Sequence, residues 1–293
     1  MKAVVLMAYG SPERLADVPA YYSDIRGGRP IRLALLDDLV ERYRRLGIDQ
    51  GSPLNAITEE TRAALEAELE AVPVFTGMKH WTPRIAEAAD AAVAAGAATV
   101  VGLVLAPHYS AMSIAGYRTQ LEEALSGRAQ LAFIDSWHDE PGFVDLLADR
   151  VRGSEAHVVF TAHSLPARIL EAKDPYKDQL LETSRLIAER AGLDDWSFSF
   201  QSESQTGEPW LGPDILDHLE ELQGRGITDV LVCPVGFVAD HLEIRWDLDH
   251  EAAGKARELG LGFRRIEMPN ADPAFIGVLA GLVRRVLAVP SEA

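Results

Sequence analysis

"VVLMAYGSP" at residues 4–12 and "VVFTAHSLP" at residues 158–166 decide the fold. Each is an apolar run, then an alanine, then Tyr9 or His163, then a small turn and a proline. Continuous apolar runs suit parallel strands covered on both faces. Working outward from these two, the strand candidates fall into two matching sets. The first holds Ala3–Met7, Val72–Phe75, Thr99–Leu105 and Leu131–Ile134; the second holds Val158–Phe160, Phe198–Phe200, Asp229–Val232 and Phe263–Ile266. Amphipathic stretches at 58–71, 83–96 and 174–192 lie between them. The first opens at Thr58, and the other two start near a proline and stop at Gly96 and Gly192, the punctuation of helices.

This alternation predicts an α/β fold. The matching halves predict two similar Rossmann-like lobes, each a four-stranded parallel sheet flanked by helices, with a cleft between them. Residues 1–145 form the first lobe, with an insert at about 10–57 and completion by a C-terminal helix at 272–293; residues 146–271 form the second. Open parallel sheets bind ligands beyond the carboxyl ends of their strands. Tyr9, His108, His163 and the segment 237–243 are therefore expected at the cleft, with Tyr9 and His163 on opposing walls.

The composition narrows the partners. Lys plus Arg number 28 against 45 Asp plus Glu, a net charge of −17. That surface repels nucleic acid and anionic lipid. The single cysteine, Cys233, rules out an internal disulfide and leaves a chain unable to hold a cysteine-ligated iron–sulfur cluster by itself. Its setting, Val232-Cys233-Pro234, reads as an inert thiol at a buried strand end. No apolar stretch approaches the roughly 18–20 residues of a membrane span, and "MKAVVLMAYG" enters a strand at once without a signal-peptide core. The expectation is a cytoplasmic protein.

Two stretches carry chemistry. The insert gathers Tyr21, Tyr22, Arg26, Arg29, Arg42, Tyr43, Arg44 and Arg45 in an otherwise acidic chain. Guanidinium forks and aromatic rings suit a flat ligand that bears carboxylates; the bland alternative is a solvated helix with snorkelling arginines. The second stretch is "PVGFVADHLEIRWDLDHEAAGKARELG" at 234–260, where Glu243, Asp247 and Glu251 recur every four residues. On an α-helix these share one broad face, and a local π-bulge would bring them closer to a line. Like charges at this spacing repel, and a cation is their natural counterweight. His163 and Glu243 both follow strand ends of the second lobe. Converging in the cleft, they would suit a divalent first-row metal or general acid–base work.

The motifs "TAHSLP" (161–166), "DPY" (174–176), "FQSESQTGEPWLGPD" (200–214) and "PVGFVADHLEIRWDLDHEA" (234–252) resemble the ferrochelatase family. "MAYGSP", "YYSDIRGGR", "GSPL" and "LAPHYS" agree, so the likeness spans nearly the whole chain. The chain is most similar to the soluble bacterial coproporphyrin III ferrochelatases, lacking the apolar lip and cysteine tail of the membrane-associated type. The resemblance implies insertion of Fe²⁺, as substrate, into coproporphyrin III in haem biosynthesis, with no permanently bound cofactor and a monomeric protein. It implies His163 and Glu243 as the pair handling metal and pyrrole protons, with Asp247 and Glu251 continuing outward as a metal path. Tyr9 would face the product iron, and Arg26, Arg42, Tyr43, Ser52 and Tyr117 would hold the macrocycle and its propionates. One position departs from the pattern: Gly27 stands where a second arginine is expected.

Three rival readings differ testably. A chelatase for another tetrapyrrole or metal, such as cobalt, would rely on more histidines. A non-catalytic two-lobed binder of haem or a metabolite has no need of an acidic ladder. A hydrolase using Ser164 and His163 lacks the G-x-S-x-G elbow.

Overall fold

The computed structural model describes residues 1–47, 52–204 and 207–288. The strands are β1 (Lys2–Ala8), β2 (Val74–Met78), β3 (Thr99–Val104), β4 (Gln130–Ile134), β5 (His157–His163), β6 (Trp196–Gln201), β7 (Asp229–Cys233) and β8 (Gly262–Arg265). The helices are α1 (Val18–Ile25), α2 (Leu33–Arg45), α3 (Leu54–Leu69), α4 (Ile85–Ala94), α5 (Ile114–Leu125), α6 (Pro141–Val151), α7 (Tyr176–Ala191), α8 (Ile215–Gly224), α9 (Ala253–Leu259) and α10 (Pro273–Ala288). A π-helical segment, Ile244–Ala252, runs directly into α9.

The strands form two four-stranded sheets, ordered β2-β1-β3-β4 and β6-β5-β7-β8. Every pairing is parallel: Val4 lies opposite Val74 and Val101, and Val159 lies opposite Ser197 and Val232. In each order the chain leaves its first strand to one side, then returns to the other. That reversal opens a crevice at the carboxyl ends of β1 and β3, and of β5 and β7. Tyr9 follows β1, His163 ends β5, and the 234–243 loop follows β7.

The largest apolar cluster runs through both halves. It joins Val4, Leu6 and Leu103 beneath the first sheet to Trp137, Phe143, Phe160 and Phe275. The outer faces carry separate clusters, with Ile85, Ile114 and Leu121 on one sheet and Ile215, Leu219 and Ile244 on the other. Helix α10 packs on α3 and α6, and Arg284 reaches the Glu68 carboxylate at 3.0 Å. Residues 289–293 of the expected C-terminal helix lie outside the described residues. Among the described residues no helix is long and apolar enough to cross a membrane.

Three sequence expectations shift. Strand β2 starts and ends later than 72–75, because Glu66 accepts the Val74 N–H and the pairing continues through Gly77 to Met78. A Cβ on Gly77 would lie 3.0 Å from the Ile85 Cα, so the glycine lets α4 approach the sheet. Helix α3 begins at Leu54, so Thr58 does not open it; its hydroxyl donates back to the Leu54 carbonyl at 2.7 Å, as Thr61 does to Ile57 at 2.8 Å. His108 is buried in the seam between the lobes, where its Nε2 meets Thr183 Oγ1 at 2.9 Å, and it does not face the cleft.

Candidate active site

His163 is the last residue of β5, in register with Gln201 on β6. The Tyr176 hydroxyl donates to the His163 carbonyl at 3.0 Å and holds its backbone. The ring donates Nδ1–H to the Ser164 carbonyl, since a carbonyl can only accept. That leaves Nε2 facing Glu243 Oε1 at 3.6 Å. A neutral ring in this tautomer would point a lone pair at a carboxylate, so the arrangement favours the imidazolium. Burial is the largest single influence and opposes that charge, but the charge and hydrogen bond of Glu243, with the Ser164 carbonyl and Asp247, together lift His163 to about 9.

Glu243 sits where the 234–243 loop enters the π-helical segment. The loop lies tight on β5: a Cβ on Gly236 would lie 2.5 Å from that of Ala162, closer than two carbons can approach. A second imidazole flanks Glu243, with His241 Nε2 at 3.4 Å from Oε2 and His241 Nδ1 donating to the Ala239 carbonyl at 2.8 Å. Burial would raise the Glu243 carboxyl; the charge and hydrogen bond of His163, joined by His241, hold it far below the ordinary range.

The rest of the ladder follows from the wide helix. Its nine residues, Ile244–Ala252, bond i to i+5 and so complete each turn in more residues than an α-helix. Residues four apart then stay close to one line, and the bulge raised by the spacing is a whole segment. Asp247 is 6 % exposed, accepts from Ser202 Oγ, and lies 3.5 Å from Gln201 Nε2. Burial and the Glu243 charge push it up to about 7. Glu251 lies beyond, where it lines a small cavity of about 110 Å³ with Asp247, Asp214, Glu203 and Arg42. The ladder thus runs from an acidic pocket past the buried Asp247 to the His163–Glu243 pair, whose side chains are 31% and 38% exposed.

The facing wall comes from the first lobe. Tyr9 is exposed and packs on His80, with ring centroids 4.6 Å apart. His80 in turn contacts Asp24 at 2.8 Å, and Arg84 pairs with the same carboxylate at 3.0 Å. This trio fixes α1 to the loop after β2, and so fixes Arg26, the C-terminal cap of α1. Arg26 lies over the Tyr22 ring at 5.9 Å, and its buried Nε has no partner among the described residues.

The other sequence-selected residues divide. Arg42 stacks on Trp246 at 5.3 Å, pairs with Asp38 at 2.9 Å and stands 4.0 Å from Asp247, bringing a first-lobe helix onto the acidic ladder. Tyr43 is buried and shares a hydrogen bond of 3.2 Å with Ser11 Oγ; Tyr117 is buried beneath Lys79, whose Nζ lies 4.6 Å from its ring. These two rings form the interior of the wall and present no open face. Ser52 Oγ accepts the Leu54 N–H at 3.3 Å at the start of α3. Arg44 and Arg45 pair with Glu41 on their own exposed surface, the bland outcome for that part of the insert. Cys233 is fully buried, and that burial pushes its thiol up, as befits an inert core residue.

Sequence reasoning missed His241 and the His80–Asp24–Arg84 trio. The "DHLE" motif placed His241 beside Glu243, but its loop conformation gave no periodicity to show that the two side chains meet. The trio joins positions 56 and 60 residues apart, which no local pattern reveals.

Comparison with known proteins identifies the family. The ferrochelatase family model matches residues 1–287. A ferrochelatase of Herpetosiphon aurantiacus is 44% identical, covering 96% of this chain and 97% of the relative. A ferrochelatase of Deinococcus radiodurans is 42% identical, covering 96% and 95%. A coproporphyrin III ferrochelatase of Halalkalibacterium halodurans is 40% identical, covering 97% of both. Among solved structures, SirB from Bacillus subtilis with Fe³⁺ superposes with a TM-score of 0.62, covering 98% of this chain and 96% of that one; at 12% identity it speaks for the two-lobed fold alone. With near full-length matches to both the family model and these relatives, the chain belongs to the ferrochelatase family, enzymes that insert iron into porphyrin.

Proposed function

We propose that this ferrochelatase acts on coproporphyrin III and Fe²⁺ to give Fe-coproporphyrin III in haem synthesis, and that the His163–Glu243 pair performs the insertion. The observation that carries the proposal is the 3.6 Å approach of His163 Nε2 to Glu243 at the inner end of a line of carboxylates. Coproporphyrin bears more peripheral carboxylates than protoporphyrin IX, and the Arg26 guanidinium supplies a charge and donors for them. Several relatives named as coproporphyrin III ferrochelatases support the same choice.

Metallation has to strip water from Fe²⁺, remove two pyrrole protons and bend a stiff ring. Glu251 and Asp247 exchange water for carboxylate oxygen in steps and pass the ion inward. Its arrival at Glu243 neutralises the field that keeps His163 protonated. The imidazolium then releases its proton to water in the cleft, and its freed Nε2 accepts the two pyrrole protons one after the other, passing each to water. Tyr9 on the opposite wall faces the other side of the ring. Binding energy from the peripheral carboxylates holds the macrocycle against the walls in a bent form. Iron is substrate throughout, no resident cofactor is required, and one chain in the cytoplasm completes the cleft.

The test is anaerobic mixing of the protein with Fe²⁺ and either coproporphyrin III or protoporphyrin IX. The free-base spectrum should be lost faster with coproporphyrin III. Equal or faster loss with protoporphyrin IX would contradict the substrate assignment.

A further inference from the structure

A π-helical segment is uncommon and needs outside support, and the support here comes from behind. Asp240, just before the ladder in sequence, and Asp249, between Asp247 and Glu251, do not join it. Both turn to Arg265 at the end of β8. Arg265 Nε donates to Asp249 Oδ1 at 2.7 Å and Nη2 donates to Asp249 Oδ2 at 2.9 Å, a bidentate fork. Nη2 also donates to Asp240 Oδ1 at 2.8 Å, and Nη1 donates to the Ile266 carbonyl at 3.1 Å. The second oxygen of Asp240 accepts from Asn270 Nδ2 at 2.9 Å, and the Asp240 N–H donates to Asn270 Oδ1 at 2.8 Å. The side chains of Arg265 and Asp240 are each about five-sixths buried, at 16% and 17% exposure.

We propose that Arg265 is a positioning residue for iron insertion: its guanidinium bridges the loop before Glu243 and the π-helical segment after it, and so fixes the direction in which Glu243 faces His163. The inference rests on the assignment of that pair as the insertion site. Asp240 lies three residues before Glu243 and Asp249 six after, so one rigid planar group spans the stretch that carries both Glu243 and Asp247. Among the described residues the Arg265 side chain hydrogen-bonds only to Asp240, Asp249 and the Ile266 carbonyl, all in the second lobe, so porphyrin binding is not expected to depend on it. A lysine at this position keeps the charge and loses the fork, and it cannot hold both carboxylates in one plane.

The experiment compares Arg265→Lys, Asp249→Asn and the double variant with the unmodified protein. It measures turnover at varied Fe²⁺ and, separately, coproporphyrin affinity by fluorescence. Each single variant should lose about ten-fold or more in kcat/KM for Fe²⁺, since a displacement of an ångström at a reacting group is that costly, with porphyrin affinity unchanged. The double variant should be no worse than the weaker single, because both changes break one staple. Two outcomes overturn the proposal: kcat/KM for Fe²⁺ within two-fold of the unmodified protein, or a parallel loss of porphyrin affinity, which would make Arg265 a general support of the lobe. If the unmodified protein itself inserted no iron, the site assignment would fail instead, and the two failures are distinct.

Discussion

Replacing Glu243 with glutamine is expected to slow iron insertion by a hundred-fold or more, the scale of losing a positioned acid–base group, while coproporphyrin still binds within a few-fold of normal affinity. Glutamine keeps the size and the hydrogen-bonding reach of the side chain. What it removes is the negative charge 3.6 Å from His163 and 3.4 Å from His241. That charge does two things in the proposed reaction. It draws the dication from Asp247 to the inner position, and it keeps His163 protonated until the metal arrives. Loss of the first stops the cycle before a pyrrole proton moves, because no dication reaches the ring. Stopped-flow absorbance with saturating porphyrin isolates this step, because binding is complete before iron is added. A variant that kept more than a tenth of normal turnover would remove Glu243 from the inner pair.

The second large effect is in the ionisation of His163. Its imidazole is raised from 6.5 to about 9, so it is charged at neutral pH in the metal-free protein. In Glu243→Gln the attraction is gone while the burial that opposes charge remains, and the titration should fall to 6.5 or below. Nitrogen-15 NMR of labelled histidine reads this directly. Stability should follow with a definite sign. A folded-state value above the unfolded one stabilises fully below pH 6.5, and that stabilisation is lost as pH rises through about 9. Asp247, raised from 3.8 to about 7, has the same sign: its contribution is present below pH 3.8 and is lost as pH rises through about 7. Glu243 is depressed, so its contribution is present above pH 4.5 and disappears only in strong acid. Denaturant midpoints should therefore decline between pH 6 and 9.5, and the part of the decline above pH 7 should be missing in Glu243→Gln. A His163 that titrates below 7 in the unmodified protein would contradict the electrostatic coupling of the pair.

Much of this was legible in the amino-acid sequence, for reasons that particular residues make clear. The eight strands announce themselves because a strand buried on both faces has no polar positions to interrupt it, as in Val158–Phe160. The edges were harder. The expected strand at Val72–Phe75 stopped short of Gly77, whose role of letting α4 approach depends on a helix that the local sequence does not place. Thr58 resembles a helix cap but returns its hydroxyl to Leu54, because the helix has already begun there. At the site, His163 and Glu243 could be paired because both follow strand ends on one sheet, and sheet topology does the rest. The arginine–tyrosine insert gave composition without orientation. Arg42 reaches the ladder, Arg44 and Arg45 pair on the surface, and Tyr43 turns inward to Ser11. Asp240 and Asp249 add charge near the ladder in sequence, and only the position of Arg265 shows where they turn.

The most direct test follows the free-base absorbance of bound coproporphyrin III after anaerobic addition of Fe²⁺, in the unmodified protein and in His163→Ala. The account predicts rapid conversion to the iron porphyrin in the first, and a bound but unmetallated free base in the second. Metallation by His163→Ala at the unmodified rate would contradict the claim that this imidazole, held against Glu243 at the floor of the cleft, carries the pyrrole proton.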